Sequence, residues 1–263
     1  MAIQLPTFRA PKLRYDRIYW ILFLIIVGVI LLSAVARKKH SFADTVEVEV
    51  VPLGKGDKLI SEGDVRNALL RSFGNTLEGT NLGNLEVERM ERVMEEDPFV
   101  ADADTWVDQN NILHVRIKQR EPLIRVLDNN GGNYYLDKKG VKMPPSKNFT
   151  ARVLVATGNL PPYTADFMEK KRHPLKDLYN LTNTLQNDDF FANFIQQIHY
   201  NNAGEFVLVP LIGDQKIILG STRHLDDKLN RLKIFYQKAM PATGWREYET
   251  INLKYNGQIV CKR

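Results

Sequence analysis

Residues 18–36, IYWILFLIIVGVILLSAVA, run without a single charge and are broken only by Gly28 and Ser33. As a helix at ~1.5 Å per residue the run reaches ~28 Å, close to the ~30 Å hydrocarbon core of a bilayer. Tyr19 and Trp20 stand at one end, where amphipathic rings settle among headgroups. A buried soluble helix of this length with no polar face would be unusual. The expectation is one membrane span, with a short tail (1–17) before it and one long polar segment after it.

Charge near the span does little to set its orientation. Arg9, Lys12, Arg14 and Arg17 precede it, offset by Asp16, and Arg37, Lys38 and Lys39 follow. Long domains translocate largely regardless of charge, so the tail is read as cytoplasmic and the long segment as exported. Ala34-Val35-Ala36 has the look of a cleavage site. A signal peptide's apolar region spans only ~7–15 residues, however, and a basic cluster directly follows. An uncleaved anchor is the better reading.

The pI near 9.1 invites a nucleic-acid role, but the charge is uneven. Residues 1–43 carry seven Lys/Arg against one Asp, and the whole chain nets +5, so residues 44–263 net −1. The basic character belongs to the anchor and concerns topology; nucleic acid is not an expected partner. Within the exported part, residues 44–120 hold nine Lys/Arg against sixteen Asp/Glu, a net of −7, and residues 121–263 twenty against fourteen, a net of +6. Opposite signs fit two domains with different partner surfaces, and equally fit ordinary solvated faces. Cys261 is the only cysteine, so the fold stands on packing without an internal disulfide.

After a linker (37–45), residues 46–50 alternate as a half-buried strand. A turn at 54–57 leads to a helix over 62–73 with Val65, Ala68, Leu69 and Phe73 on one face, and with Ser61 and Asp64 spaced as a cap. A second helix is predicted over 85–95 with Val87, Met90 and Met94, stopped by Pro98, then strands at 103–107 and 112–118. The order β-α-α-β-β suits helices on one face of a small mixed sheet. Farther on, strands are predicted at 123–127 and 134–137 around the turn Asp128-Asn129-Asn130-Gly131-Gly132, then a short one from Gly140-Val141, and another at 152–157. Leu178, Leu181 and Leu185 mark a helix over 175–187, and 196–200, 205–209 and 215–219 read as consecutive antiparallel strands. Leu225, Leu229, Leu232 and Phe235 make another helical stripe. Strands at 247–255 and 258–262, split by Asn256-Gly257, close the chain as a hairpin. The fold class is thus α+β, with a span, a small β-α-α-β-β unit and a larger mixed or antiparallel β domain carrying helices.

Catalytic signatures are missing. The glycines between Gly74 and Gly83 lack the Lys-Ser/Thr of a phosphate loop, and no nucleophile elbow occurs. His40, His114, His173, His199 and His224 are scattered without ligand spacing. Asp188-Asp189 and Asp226-Asp227 are sequence neighbours, which do not face each other on a helix, and read as solvated faces. Cys261 reads as a strand residue. No catalytic residue, metal or cofactor is expected.

Asp97-Pro98-Phe99-Val100, Leu113-His114-Val115 with Glu121-Pro122, Leu136-Asp137 with Gly140-Val141, and Ile251-Asn252-Leu253-Lys254-Tyr255 with Gly257, set in this layout, resemble the bacterial FtsQ/DivIB family of cell-division proteins. Asp97-Pro98-Phe99-Val100-Ala101-Asp102-Ala103 resembles the family's helix-to-strand crossing, and Leu113-His114-Val115-Arg116-Ile117 with Glu121-Pro122 its last small-domain strand and join. Leu136-Asp137 with Gly140-Val141 resembles a family hairpin, and Ile251-Asn252-Leu253-Lys254-Tyr255 with Gly257 its terminal stretch. The chain departs from the family at Asp108–Asn111, where Arg and Pro are usual, and at Asn252 and Lys254, where the family has Asp and Arg; Lys lacks the planar fork of Arg.

The resemblance implies a POTRA domain over 46–120 and a β domain over 121–263. It further implies a bitopic, non-catalytic scaffold in the inner membrane at the division septum, tail in the cytoplasm and domains outside. FtsB/FtsL-like partners would bind the C-terminal strand region, with FtsK-like and FtsW/FtsI-like proteins as further partners, and recruitment would run through the POTRA domain and the span. On this chain the partner region comprises Tyr248, Ile251, Leu253, Lys254, Tyr255, Gln258, Ile259 and Val260. A membrane-anchored envelope hydrolase, or a POTRA-bearing transport or assembly factor, are the competing readings. The first lacks a coupled carboxylate or His pair, and the second lacks repeats and a barrel.

Overall fold

The computed structural model describes residues 15–39, 41–54, 56–74 and 77–263. Most of the predicted tail, and Lys55 of the predicted turn, lie outside them. Helix α1 (Tyr15–Lys39) takes up the whole apolar run. Most of its described apolar side chains, Tyr19 and Trp20 among them, stand exposed. The backbone of α1 is 25 residues long, but side chains are described without a break only from Tyr19 to Ser33, ~22 Å of helix. Among the described residues no helix is long and apolar enough to cross a membrane.

Next come β1 (Thr45–Val51), α2 (Glu62–Phe73), a single 3-10 turn (Leu82–Asn84), α3 (Val87–Glu95), β2 (Val100–Val107) and β3 (Ile112–Gln119). Helix α2 starts where the sequence says. Ser61 Oγ accepts from the Asp64 N–H at 3.1 Å, and the Ser61 N–H donates back to Asp64 Oδ2 at 3.0 Å, so two orphan donors are satisfied at once. Gly74, at φ 73°, ends the helix. The strands form one sheet in the order β1-β3-β2, β1 parallel and β2 antiparallel to β3. Val65, Leu69, Met90 and Met94 from the helices bury against Val46, Val50, Leu113, Val115 and Ile117. Strand β2 begins three residues before the predicted start, because Val100 is fully buried and belongs to this core. Helix α3 begins two residues later than predicted, after the 3-10 turn has used the preceding segment.

The remainder builds a nine-stranded mixed sheet from β4 (Pro122–Asp128), β5 (Asn133–Asp137), β6 (Lys142–Met143), β7 (Leu154–Gly158), β8 (Ile195–Tyr200), β9 (Phe206–Pro210), β10 (Lys216–Gly220), β11 (Thr250–Asn252) and β12 (Val260–Lys262). Its order is β12-β11-β10-β9-β8-β7-β4-β5-β6. The predicted antiparallel run is β8-β9-β10. Three pairs, β4 with β7, β7 with β8, and β10 with β11, are parallel and need crossovers. Helices α4 (Pro174–Gln186) and α5 (Asp189–Phe194) supply the connection from β7 to β8. Helix α6 (Leu225–Ile234), a π turn (Phe235–Ala239) and α7 (Met240–Thr243) supply that from β10 to β11. Register places Tyr134, Val126, Ala156, Ile198, Leu208, Ile217, Ile251 and Cys261 in one row across eight strands. That row and the apolar sides of α4 to α7 form the main core.

Three local expectations are corrected. The strand predicted at Gly140-Val141 lies at Lys142–Met143, because Gly140 sits at φ 78° in the turn. Asp188 is no idle surface acid: it accepts from the N–H groups of Phe190 and Phe191, starting α5, and pairs with Lys233 at 2.9 Å. The terminal hairpin keeps only three residues per strand, and residues 253–259 form a loop around Asn256-Gly257 in place of a two-residue turn.

The two sheets meet at a compact joint. Leu59, Tyr135 and Met143 are buried together. Gln119, the last residue of β3 and itself buried, accepts from the N–H groups of Leu59 (2.5 Å) and Ile60 (3.3 Å) and donates to the carbonyls of Val51 (2.7 Å) and Asp57 (3.4 Å). Arg120 pairs with the buried Asp137 at 3.2 Å. Asn148 donates to Asp64 at 2.9 Å, and Ser146 to the Leu59 carbonyl.

Candidate functional site

The crossover through α6 and α7 returns the chain parallel to β10, and the last residues fold back on β11, so β12 becomes the outermost strand. Thr250, Ile251 and Asn252 face Lys262, Cys261 and Val260. Among the described residues β12 has a strand neighbour on one side only. Its other side presents backbone N–H and C=O groups that a further strand would satisfy. Alternation divides the residues. Ile251 and Leu253 are fully buried, and Cys261 packs beside them against the core. Burial raises the Cys261 thiol above its ordinary pKa, in keeping with a side chain packed against the core.

Of the predicted partner residues, Ile251 and Leu253 are buried and hold the hairpin to the core. Lys254, Tyr255, Gln258 and Val260 face outward, with Tyr255 53% and Val260 44% exposed. Ile259 and Tyr248 are half-buried against the core. The ring of Tyr248 lies 5.9 Å from that of Phe235 and 6.0 Å from the Arg263 guanidinium.

The loop is fastened at several points. The Leu253 N–H donates to the Ile218 carbonyl at 2.9 Å, and the Lys254 N–H to Asn252 Oδ1 at 3.0 Å. Lys254 Nζ reaches Glu205 Oε1 at 2.9 Å; that bond lowers the Glu205 pKa and raises that of Lys254. The lysine stem passes over Gly220, where an added Cβ would stand 2.8 Å from Lys254 Cγ. Arg231, on α6, was not singled out from the sequence. It donates Nε to Asp227 at 3.0 Å and Nη1 to the carbonyls of Tyr255 (3.2 Å) and Gln258. The i,i+4 spacing of Asp227 and Arg231 was its only local signal.

The other sheet edges differ from β12. On β1, Arg66 Nη2 donates to the Val46 carbonyl at 2.6 Å. On β2, Glu91 Oε1 accepts from the Thr105 N–H at 2.8 Å. On the far edge of the large sheet β6 is only two residues long and runs into Pro144-Pro145. Side-chain caps and prolines are devices that keep an edge from recruiting another strand. Among the described residues no group of three or more His, Cys, Asp or Glu side chains is placed to hold a metal ion.

No curated protein matches the chain. A family model described as "FtsQ/DivIB, C-terminal related" matches residues 121–262, more than half of the chain and the region that builds the nine-stranded sheet with its terminal hairpin. The chain belongs to the FtsQ/DivIB C-terminal related family.

Proposed function

We propose that this protein is a bitopic scaffold of the bacterial division machinery, held in the inner membrane by residues 18–36 with its tail in the cytoplasm. Residues 46–120 act as a POTRA domain in recruitment, and residues 121–263 as the β domain that binds FtsB/FtsL-like partners. FtsK-like and FtsW/FtsI-like proteins are the further partners of this reading. Membership of a family of non-catalytic division proteins supports the general role. The observation that carries the binding mode is the position of β12, the outermost strand, beside the exposed Tyr255 and Val260. A partner segment added there takes affinity from main-chain hydrogen bonds and specificity from alternate side chains. Lys254 and Tyr255 stand at the mouth of that edge, and Ile251 and Leu253 keep it rigid from behind. The first test is imaging of an N-terminal fluorescent fusion in dividing cells. A band at mid-cell supports the reading; even labelling of the envelope refutes the division role. Site-specific photocrosslinking from position 260 then tests the edge, and capture of no small bitopic division protein refutes the binding mode.

A further inference from the structure

The small sheet has an open face that the helices do not cover. Register sets Glu47, His114 and Trp106 side by side on it, and Glu49, Arg116 and Asp104 in the next row. Trp106 is 43% exposed and lies nearly flat on the His114 ring, centroids 5.1 Å apart and planes 13° apart. The imidazole is itself held from two sides, with Nδ1 3.4 Å from Glu47 and Nε2 3.4 Å from Asp108. Arg116 is occupied by Glu49 at 3.1 Å, which leaves Asp104 and the free side of the indole facing outward in a region of net charge −7.

An indole fixed in place with one face in water is the strongest aromatic acceptor for a cation, and surrounding carboxylates add attraction for the same charge. Anionic lipid headgroups would be repelled by this face. Arg66 occupies the Val46 carbonyl on one edge and Glu91 the Thr105 N–H on the other, while the indole stands on the face itself, so a polypeptide that recognises the indole lies across the face. We propose that the open face around Trp106 is a docking surface for an arginine- or lysine-bearing polypeptide segment, whose cation stacks on the indole while Asp104 and Glu47 take neighbouring basic groups. The surface is separate from β12 and does not depend on strand addition there.

The test uses the full chain in phosphatidylcholine nanodiscs and a fluorescein-labelled octapeptide of alternating arginine and serine. Anisotropy should report saturable binding that W106A weakens about tenfold, that W106F keeps to within about threefold, and that E47Q weakens in part. Because Trp106 points outward, W106A should keep its circular dichroism spectrum, and W106F guards the case in which it does not. Unchanged binding by both tryptophan variants, or equal binding of a glutamate–serine octapeptide, overturns the proposal. Y255A, at the other site, should bind the basic octapeptide as the parent does, so failure of the β12 reading would leave this result standing.

Discussion

Replacing Gln119 by leucine, at similar volume, removes the polar anchor that ties the 51–60 segment, one wall of the joint between the two sheets, to β3. Gln119 is 3% exposed, and its amide serves two backbone donors and two backbone acceptors. The bonds at 2.5 Å to the Leu59 N–H and 2.7 Å to the Val51 carbonyl carry most of the interaction, since those at 3.3 and 3.4 Å are stretched. Each buried backbone group left without a partner costs ~1–3 kcal/mol. Two such groups, with a small return from the added apolar surface, predict a loss of ~3–4 kcal/mol. For residues 44–263 unfolding as one body of about 220 residues, that is a fall in Tm of roughly 6–16 °C. Leu59 belongs to the cluster with Tyr135 and Met143, so loosening the segment around it weakens the joint as well as the small sheet. The assay is urea unfolding of the full chain in detergent, followed by hydrogen exchange at the amides of Leu59 and Ile60. Both amides should exchange faster in the variant, ahead of those in β9 and β10. A loss below ~1 kcal/mol with unchanged exchange at these two amides would refute the reasoning, because the four bonds would then carry no net stability.

Three further outcomes follow from the terminal region. Tyr255→Ala removes an exposed ring with no core contact, so the fold should stand while pull-down of the division partner drops about thirtyfold, the ~2 kcal/mol of an interface hot spot; unchanged capture would exclude the terminal-strand model. Gly220→Ala sets a Cβ against the Lys254 stem at φ 73° and should lower stability by ~1–3 kcal/mol, read as a shift in the urea midpoint; a neutral result would mean that neither the contact nor the positive φ is costly at this position. For Glu205 the folded pKa lies below its ordinary 4.5 because of the Lys254 bond. Its stabilising share is therefore present above pH 4.5 and is lost as pH falls through the lowered value; Glu205→Gln should flatten that part of the stability–pH curve, and a superimposable curve would count against the pair.

What the sequence disclosed was local. The cap formed by Ser61 and Asp64, the alternation along β1 and the turn at 128–132 each depend on residues a few positions apart, and these landed where the chemistry put them. Gln119 reaches partners 59 to 68 residues away, and no local pattern announces such a bond. The parallel pairings of β4 with β7 and of β10 with β11 were hidden for the same reason. Asn256-Gly257 misled because the Leu253 bond to Ile218 and the Arg231 bonds to Tyr255 and Gln258 fix the loop from outside. Of the terminal residues, the sequence marked a segment that forms the outermost hairpin of the large sheet. It could not separate Ile251 and Leu253, which face inward, from Tyr255 and Val260, which face out, before the register of β11 was known.

The difference between β12 and the other edges has a consequence for valence. A molecule with two compatible open edges can be extended from both ends, and such contacts propagate into filaments when the geometry does not close. Here β1 and β2 are capped by side chains, and β6 is short and proline-ended. Among the described residues β12 is thus the edge left without such a device, and a copy that took a strand there would offer no second edge of that kind. An assembly built through β12 grows in number only as fast as copies of this protein are supplied to it.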